Sequence, residues 1–251
     1  MLIFSRGTRF VWTLLLFGAL SACTAVNQSF EALKELTNLG DDVIEANQVT
    51  DVTSTPVKEG VAFDQPRPVA INQFKRSKQA LTNQQQSLVS NVYDVTSNQH
   101  QGNSVTQLKP SLDAIEAHIS SNASLPIPSM LFLALGDGYL ALQQTENAMS
   151  AWQQSVRLNK HNYFAHDRLA QAFRQQGDFA AAEQHYNEAI SAWPDFISGY
   201  RNRGILYDLY MGDKSRALND YQHYKQLLTL AGDPTREVDR WIKEMQRATN
   251  L

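Results

Sequence analysis

The chain is poor in cysteine: its 251 residues hold one, Cys23. An internal disulfide and a thiolate zinc cluster are both excluded, because each needs a second thiol. A surplus of charge is also lacking. The 22 Lys and Arg stand against 25 Asp and Glu, a formal net charge of −3, so no basic excess exists to hold a phosphate backbone and nucleic acid is not expected as a partner. No glycine-rich phosphate loop occurs; Gly136-Asp137-Gly138 reads as a place of close helix packing. The six histidines show no metal-ligand spacing, and His161 and His166 are five apart across a turn rather than on one helical face. No nucleophile, base and orienter converge in the pattern. The expectation is a chain without metal, cofactor or catalysis.

What is present is an ordinary globular composition, 43% hydrophobic and 19% charged, which disfavours both wholesale disorder and a polytopic membrane protein. The N-terminus differs from the rest. Arg6 and Arg9 precede an apolar run from Phe10 to Leu20, shorter than the roughly 20 residues that span a bilayer. Residues 1–22 therefore read as an export signal. A soluble-secretion cut wants small residues one and three places before it; Ala22 qualifies and Leu20 does not.

Leu20-Ser21-Ala22-Cys23 resembles the bacterial lipobox. That resemblance implies diacylglyceryl transfer to the Cys23 thiol, cleavage before Cys23 and, in Gram-negative cells, acylation of the new amino group. Two or more acyl chains hold a protein on a membrane where one is marginal. The mature chain would carry 20 basic against 25 acidic side chains, since the signal takes away two arginines and no acids. Thr24 follows the cysteine where inner-membrane lipoproteins of enteric-type bacteria often carry Asp, so the resemblance points to the outer membrane, facing the periplasm.

Residues 23–69 read as lipid anchor and tether, with a short helix possible within 27–46 and a polar, Pro-containing stretch over 47–69 that is either extended or an ordered edge. Residues 70–128 form a helical lead-in. Ile71, Phe74, Lys78, Leu81, Leu88 and Val92 share one stripe and predict a helix over 70–92, and a second is predicted over Pro110–Ser121 with proline in its first turn.

Self-similarity decides the fold class. A shift of 34 residues superposes Leu135-Gly136, Leu169-Ala170 and Arg203-Gly204, then Tyr139, Phe173 and Tyr207. Ala148 and Trp152 match Ala182 and Tyr186, while Ala217 and Tyr221 come one residue late. Small residues would let paired helices approach, and the aromatics would wedge between successive pairs. With Gly177-Asp178 in the turn and Pro194 at the break, the segment 163–196 resembles the tetratricopeptide repeat.

The predicted fold is an all-α helix-turn-helix solenoid of about three units, 129–162, 163–196 and 197–230, closed by a capping helix within 231–251 and preceded by a partly disordered N-terminal tether. A degenerate fourth unit would place Gly102, Val105, Ala114 and His118 in the same columns. Arg203 and Tyr224 depart from the pattern in the third unit. The capping helix would begin at Asp233-Pro234 and turn Val238, Trp241, Ile242 and Met245 inward.

In this repeat family the first helices line a groove. By register its lining would be Met130, Leu133, Asp137 and Leu140, then Phe164, Asp167, Gln171 and Arg174, then Ser198, Arg201, Ile205 and Asp208. Seven of these, Phe164, Asp167, Gln171, Arg174, Arg201, Ile205 and Asp208, are the candidate partner-binding residues, with the two arginines suited to a carboxylate. Members of the family that clamp a carboxylate tail use Lys and Asn, which are missing here. The expected function is an outer-membrane lipoprotein adaptor that binds other envelope proteins, serving pilus or secretion-pore biogenesis or the recruitment of cell-wall enzymes. Its competitors are an enzyme with a site in residues 24–128 and a purely structural lipoprotein or holdase. Oligomeric state is left open.

Overall fold

A computed structural model describes residues 70–97 and 104–249. The export signal, Cys23, the tether, the helix within 27–46 and Gly102 lie outside the described residues. The elements are α1 (Gln73–Ser77), α2 (Asn83–Ser97), α3 (Ser104–Ser121), α4 (Ser129–Ala141), α5 (Thr145–Leu158), α6 (Tyr163–Gln176), α7 (Phe179–Ala192), α8 (Ile197–Ile205) continued by a π-helical turn (Leu206–Met211), α9 (Lys214–Ala231) and α10 (Arg236–Thr249). No strand occurs among the described residues. Helices pack as antiparallel pairs, α2 with α3, α4 with α5, α6 with α7 and α8 with α9, and each pair stacks on the next.

The small and aromatic columns meet as the spacing implies. A Cβ at Gly136 would stand 2.3 Å from the Trp152 indole, and one at Gly204 would stand 2.7 Å from the Tyr221 ring. Ala170, Ala182, Tyr186 and Leu206 form the core between the second and third repeat units. Gly138 does the same work toward the N-terminal side, where its Cβ would meet Leu112 at 2.4 Å. That contact seats α4 against α3.

Asn162, Asp178 and Asp213 cap α6, α7 and α9 by accepting from the backbone N–H groups of Ala165, Ala181 and Arg216. Gly177, at φ 83°, and Gly212, at φ 69°, end the first helices of the second and third repeat units in the left-handed region. The one-residue insertion in the third unit does not lengthen the turn. It is taken up inside the first helix as the π turn, with Asp213 N–H donating to the Tyr207 carbonyl at 2.9 Å.

Several expectations are corrected. The helix over 70–92 is two helices, broken at 78–82, where no helical backbone is present. Phe74 and Val92 are both buried in one core, Phe74 against Tyr163 and Phe164 and Val92 beside Gly138. The helix expected from Pro110 begins at Ser104, because Leu108 extends the buried stripe of Leu112 and Ile115 backward by one turn; Pro110 faces solvent, where the missing hydrogen bond is tolerated. The leading pair uses α2 rather than the segment a 34-residue offset would select. Its buried aromatic is Tyr93, while His118 bonds Gln85 at 3.2 Å.

Arg203, a departure from the pattern, is compensated. Its guanidinium grips Asp220 through two bonds of 2.9 and 2.7 Å and reaches Asn187 at 2.6 Å. The last helix starts at Arg236, after Pro234, with Thr235 rather than Asp233 next to it; Val238 and Met245 are buried, and Trp241 stacks on Tyr224.

Two alanine replacements separate close approach from backbone geometry. Gly136→Ala should cost about 1–3 kcal/mol by forcing the Trp152 indole aside. Gly177→Ala, whose Cβ would meet nothing within 4 Å, should cost about 1 kcal/mol from the left-handed backbone alone. Urea unfolding of both variants measures the difference.

Candidate protein-binding face

A buried polar ladder runs across the first helices. Asp137 on α4 accepts from the Tyr93 hydroxyl of α2 at 3.0 Å, from the Trp152 indole of α5 at 3.1 Å and from Arg168 Nε of α6 at 3.0 Å. One residue before Arg168, Asp167 accepts from Asn202 of α8 at 3.0 Å, from Gln171 at 2.7 Å and from Arg168 Nη1 at 3.5 Å. Asp137, Asp167 and Arg168 are 0%, 2% and 4% exposed, so the charges are compensated by one another rather than by water. Burial acts to lower Arg168, but Asp137 and Asp167 outweigh it and hold the guanidinium above its ordinary value. Burial likewise raises the Asp167 carboxyl, against the pull of Arg168, Asn202 and Gln171. The Tyr93 hydroxyl is raised by burial and then by Asp137.

This ladder changes the meaning of several predicted groove residues. Asp137 and Asp167 are interior struts. Met130 and Leu133 are buried in the core, and Phe164 is covered by Phe74. Gln171, Arg174, Arg201, Ile205 and Asp208 are half-buried. Asp208 is tied to Lys214 and accepts from the Tyr221 hydroxyl at 3.2 Å. Arg174 lies over the Tyr210 ring at 5.4 Å and Arg201 over Trp241 at 6.0 Å. Among the described residues no carboxylate lies within ion-pair distance of either arginine. Arg174 Nε and the Tyr186 hydroxyl are buried with no hydrogen-bond partner among the described residues.

Residues 163–206 match the tetratricopeptide repeat family model. A tetratricopeptide repeat protein from Parabacteroides merdae ATCC 43184 superposes with a TM-score of 0.52 at 15% identity, over 67% of this chain and 62% of that one. The fold is a tetratricopeptide-repeat solenoid. MamA is matched at 14% identity over 68% of this chain and 97% of that one, with a TM-score of 0.45. YrrB, described as a TPR protein with an unusual peptide-binding site, is matched at 16% identity over 67% of this chain and 84% of that one, with a TM-score of 0.43. No curated protein matches the sequence.

The register places the candidate face on α4, α6 and α8. Sequence reasoning missed that its aspartates are spent internally. The usable signal was the opposite-charge pair Asp167-Arg168 amid buried columns, one turn-register away from an aspartate flanked by glycines. Among the described residues no group of three or more His, Cys, Asp or Glu is arranged to hold a metal ion, and no helix is long and apolar enough to cross a membrane. A cleft of about 430 Å³ opens beside α2 and α3, lined in part by Gln85, His118, Asn122 and Leu125.

Between α6 and α7, His166 and His185 face each other through their Nδ1 atoms at 3.0 Å. His166 Nε2 lies 3.0 Å from the Lys160 carbonyl, which only accepts, so His166 Nδ1 is the acceptor and His185 the donor. The pair is held neutral. Burial and then His166 push His185 down to about 4; burial lowers His166 against Glu188, with His161 also nearby.

Two outcomes follow. Arg168→Met leaves two carboxylates buried without a counter-charge and should cost about 3–5 kcal/mol in urea unfolding. For the histidines, the unfolded chain takes up protons that the folded pair refuses. Stability is therefore complete above pH 6.5 and falls as pH drops toward about 4. In His185→Gln this loss should shrink by about 1–2 kcal/mol, allowing for screening of a part-exposed ring. Thermal melts at pH 7 and pH 4.5 measure it.

Proposed function

We propose that this chain is a non-catalytic adaptor, lipidated at Cys23 and held on the periplasmic side of the outer membrane, whose solenoid binds a segment of another envelope protein. The carrying observation is the pair Arg174 and Arg201. Both sit on first helices, half-buried over aromatic rings, without a carboxylate partner among the described residues. Two half-buried cations on successive first helices suit an extended acidic segment, with Gln171 and Ile205 on the same helices for hydrogen bonding and packing. Asp167 is hydrogen-bonded by Arg168, Gln171 and Asn202, with Arg174 adding a longer-range attraction, and Asp208 is held by Lys214 and Tyr221.

The anchoring part of the reading supplies location. Cys23 stands at the end of the signal, and the chain from there to residue 70 would set how far from the lipid the binding face operates. Recruitment of a pilus, pore or cell-wall enzyme component is the role this build serves.

In-cell crosslinking with mass spectrometry compares the full chain with a double variant, Arg174→Glu and Arg201→Glu. One reproducible envelope partner should be lost in the variant; retention of every partner would remove the arginines from the binding face. In parallel, Cys23→Ser should abolish lipid labelling and release the protein from the membrane fraction.

A further inference from the structure

Phe164, expected to face a partner, lies under the chain's own lead-in. α1 buries one side chain, Phe74, which is 0% exposed. The Phe74 ring stands edge-on to Tyr163 at 5.8 Å and to Phe164 at 6.3 Å. Trp193 and Phe196 close on Tyr163 at 5.0 and 4.9 Å. Tyr163 and Phe164 open α6, while Trp193 and Phe196 lie between α7 and α8. The pocket thus belongs to the repeats and its filling to the lead-in.

Of the residues of α1, Phe74 alone is buried and the others are exposed. Its five residues are too few for a helix that persists in water by itself. It caps itself, with Asn72 accepting from Lys75 N–H at 2.9 Å. An exposed bond of 3.2 Å from Ser77 Oγ to Asn159 Oδ1 ties it to the loop between α5 and α6. On either side of this seam, the Nδ2 amides of Asn72 and Asn159 are buried without a hydrogen-bond partner among the described residues. A seam with unmet donors is weaker than its area suggests. The non-helical residues 78–82 connect α1 to α2.

We propose that Tyr163, Phe164, Trp193 and Phe196 form a docking pocket for an aromatic anchor of a partner protein, and that Phe74 fills this pocket in cis until the partner displaces it. The claim rests on the reading of the first-helix face as a partner-binding surface and adds its regulation. The occupant in place defines the chemistry: a phenylalanine on a short self-capped turn, followed by cations that stay in solvent, since Lys75 and Arg76 are exposed. A partner turn of that kind gains the edge-to-face ring contacts that α1 gives up. Closed and open forms then differ by one buried ring, a gap that a competing ligand can bridge.

The test uses the full chain and a fluorescein-labelled peptide of residues 70–79, AINQFKRSKQ, read by fluorescence anisotropy. The Phe74→Ala chain should bind this peptide at least about tenfold more tightly than the wild-type chain, in which the tethered ring competes at high effective concentration. The peptide with alanine in place of its phenylalanine should not bind. A Phe74→Ala chain that keeps wild-type helicity and melting temperature yet ignores the peptide would overturn the proposal. Should that variant fail to fold, hydrogen exchange on the wild-type chain decides. The amides of Lys75 to Lys78 should exchange at least about tenfold faster than those of α6; equal protection would make α1 a fixed part of the core and sink the idea. Loss of peptide binding with arginine-dependent crosslinks intact removes the pocket alone, whereas peptide binding with arginine-independent crosslinks removes the acidic-segment reading alone.

Discussion

Arg168, buried between Asp137 and Asp167, is the constraint on which the arrangement of the units depends. A solenoid unit touches only its neighbours, so its register along the stack has to be fixed interface by interface. Apolar columns set spacing but tolerate sliding. Arg168 does not, because its Nε must meet Asp137 of the preceding unit while Nη1 meets Asp167, itself bonded to Asn202 of the following unit. Three units share one hydrogen-bond network, and a slip between the first two leaves a charge unpaired in the interior. Farther along, Arg203 pairs with Asp220 inside the third unit and reaches back to Asn187 of the second, at a more accessible position.

The same network sorts the polar residues of the first helices. Aspartates that by register would meet a ligand are consumed in holding the stack, while Arg174 and Arg201 are not. The π turn contributes on the same side. By absorbing one extra residue inside α8 it carries Tyr210 to the surface beside Phe179 and beneath Arg174, and leaves Leu209 70% exposed. The N-terminal part of the face is treated differently, being covered by the chain's own Phe74.

Much of this was legible in the sequence. Small residues at 136, 170 and 204 against aromatics at 152, 186 and 221 are local, periodic signals, and they produced the helix pairs and their stacking directly. The inward stripe of the last helix was equally plain. What escaped reading depends on partners distant in sequence. The break after α1 is set by where Phe74 finds its pocket, among residues of 163–196, and not by any breaker between 78 and 82. The π turn and a longer loop fit an insertion equally well until packing chooses. Asp137 and Asp167 have the composition of a ligand-facing position, and only Arg168 and Asn202, brought to them by folding, make them structural. The candidate site was therefore legible as a face but not residue by residue.

The account's central claim is that the first-helix face meets the partner. The most direct measurement is site-specific photocrosslinking in cells, with a benzophenone amino acid placed at Ile205 on α8 or at the exposed Glu188 on α7. The account predicts a discrete partner adduct from position 205 and none from 188. An adduct from 188 with none from 205 would contradict it, placing the contact on the outer helices instead.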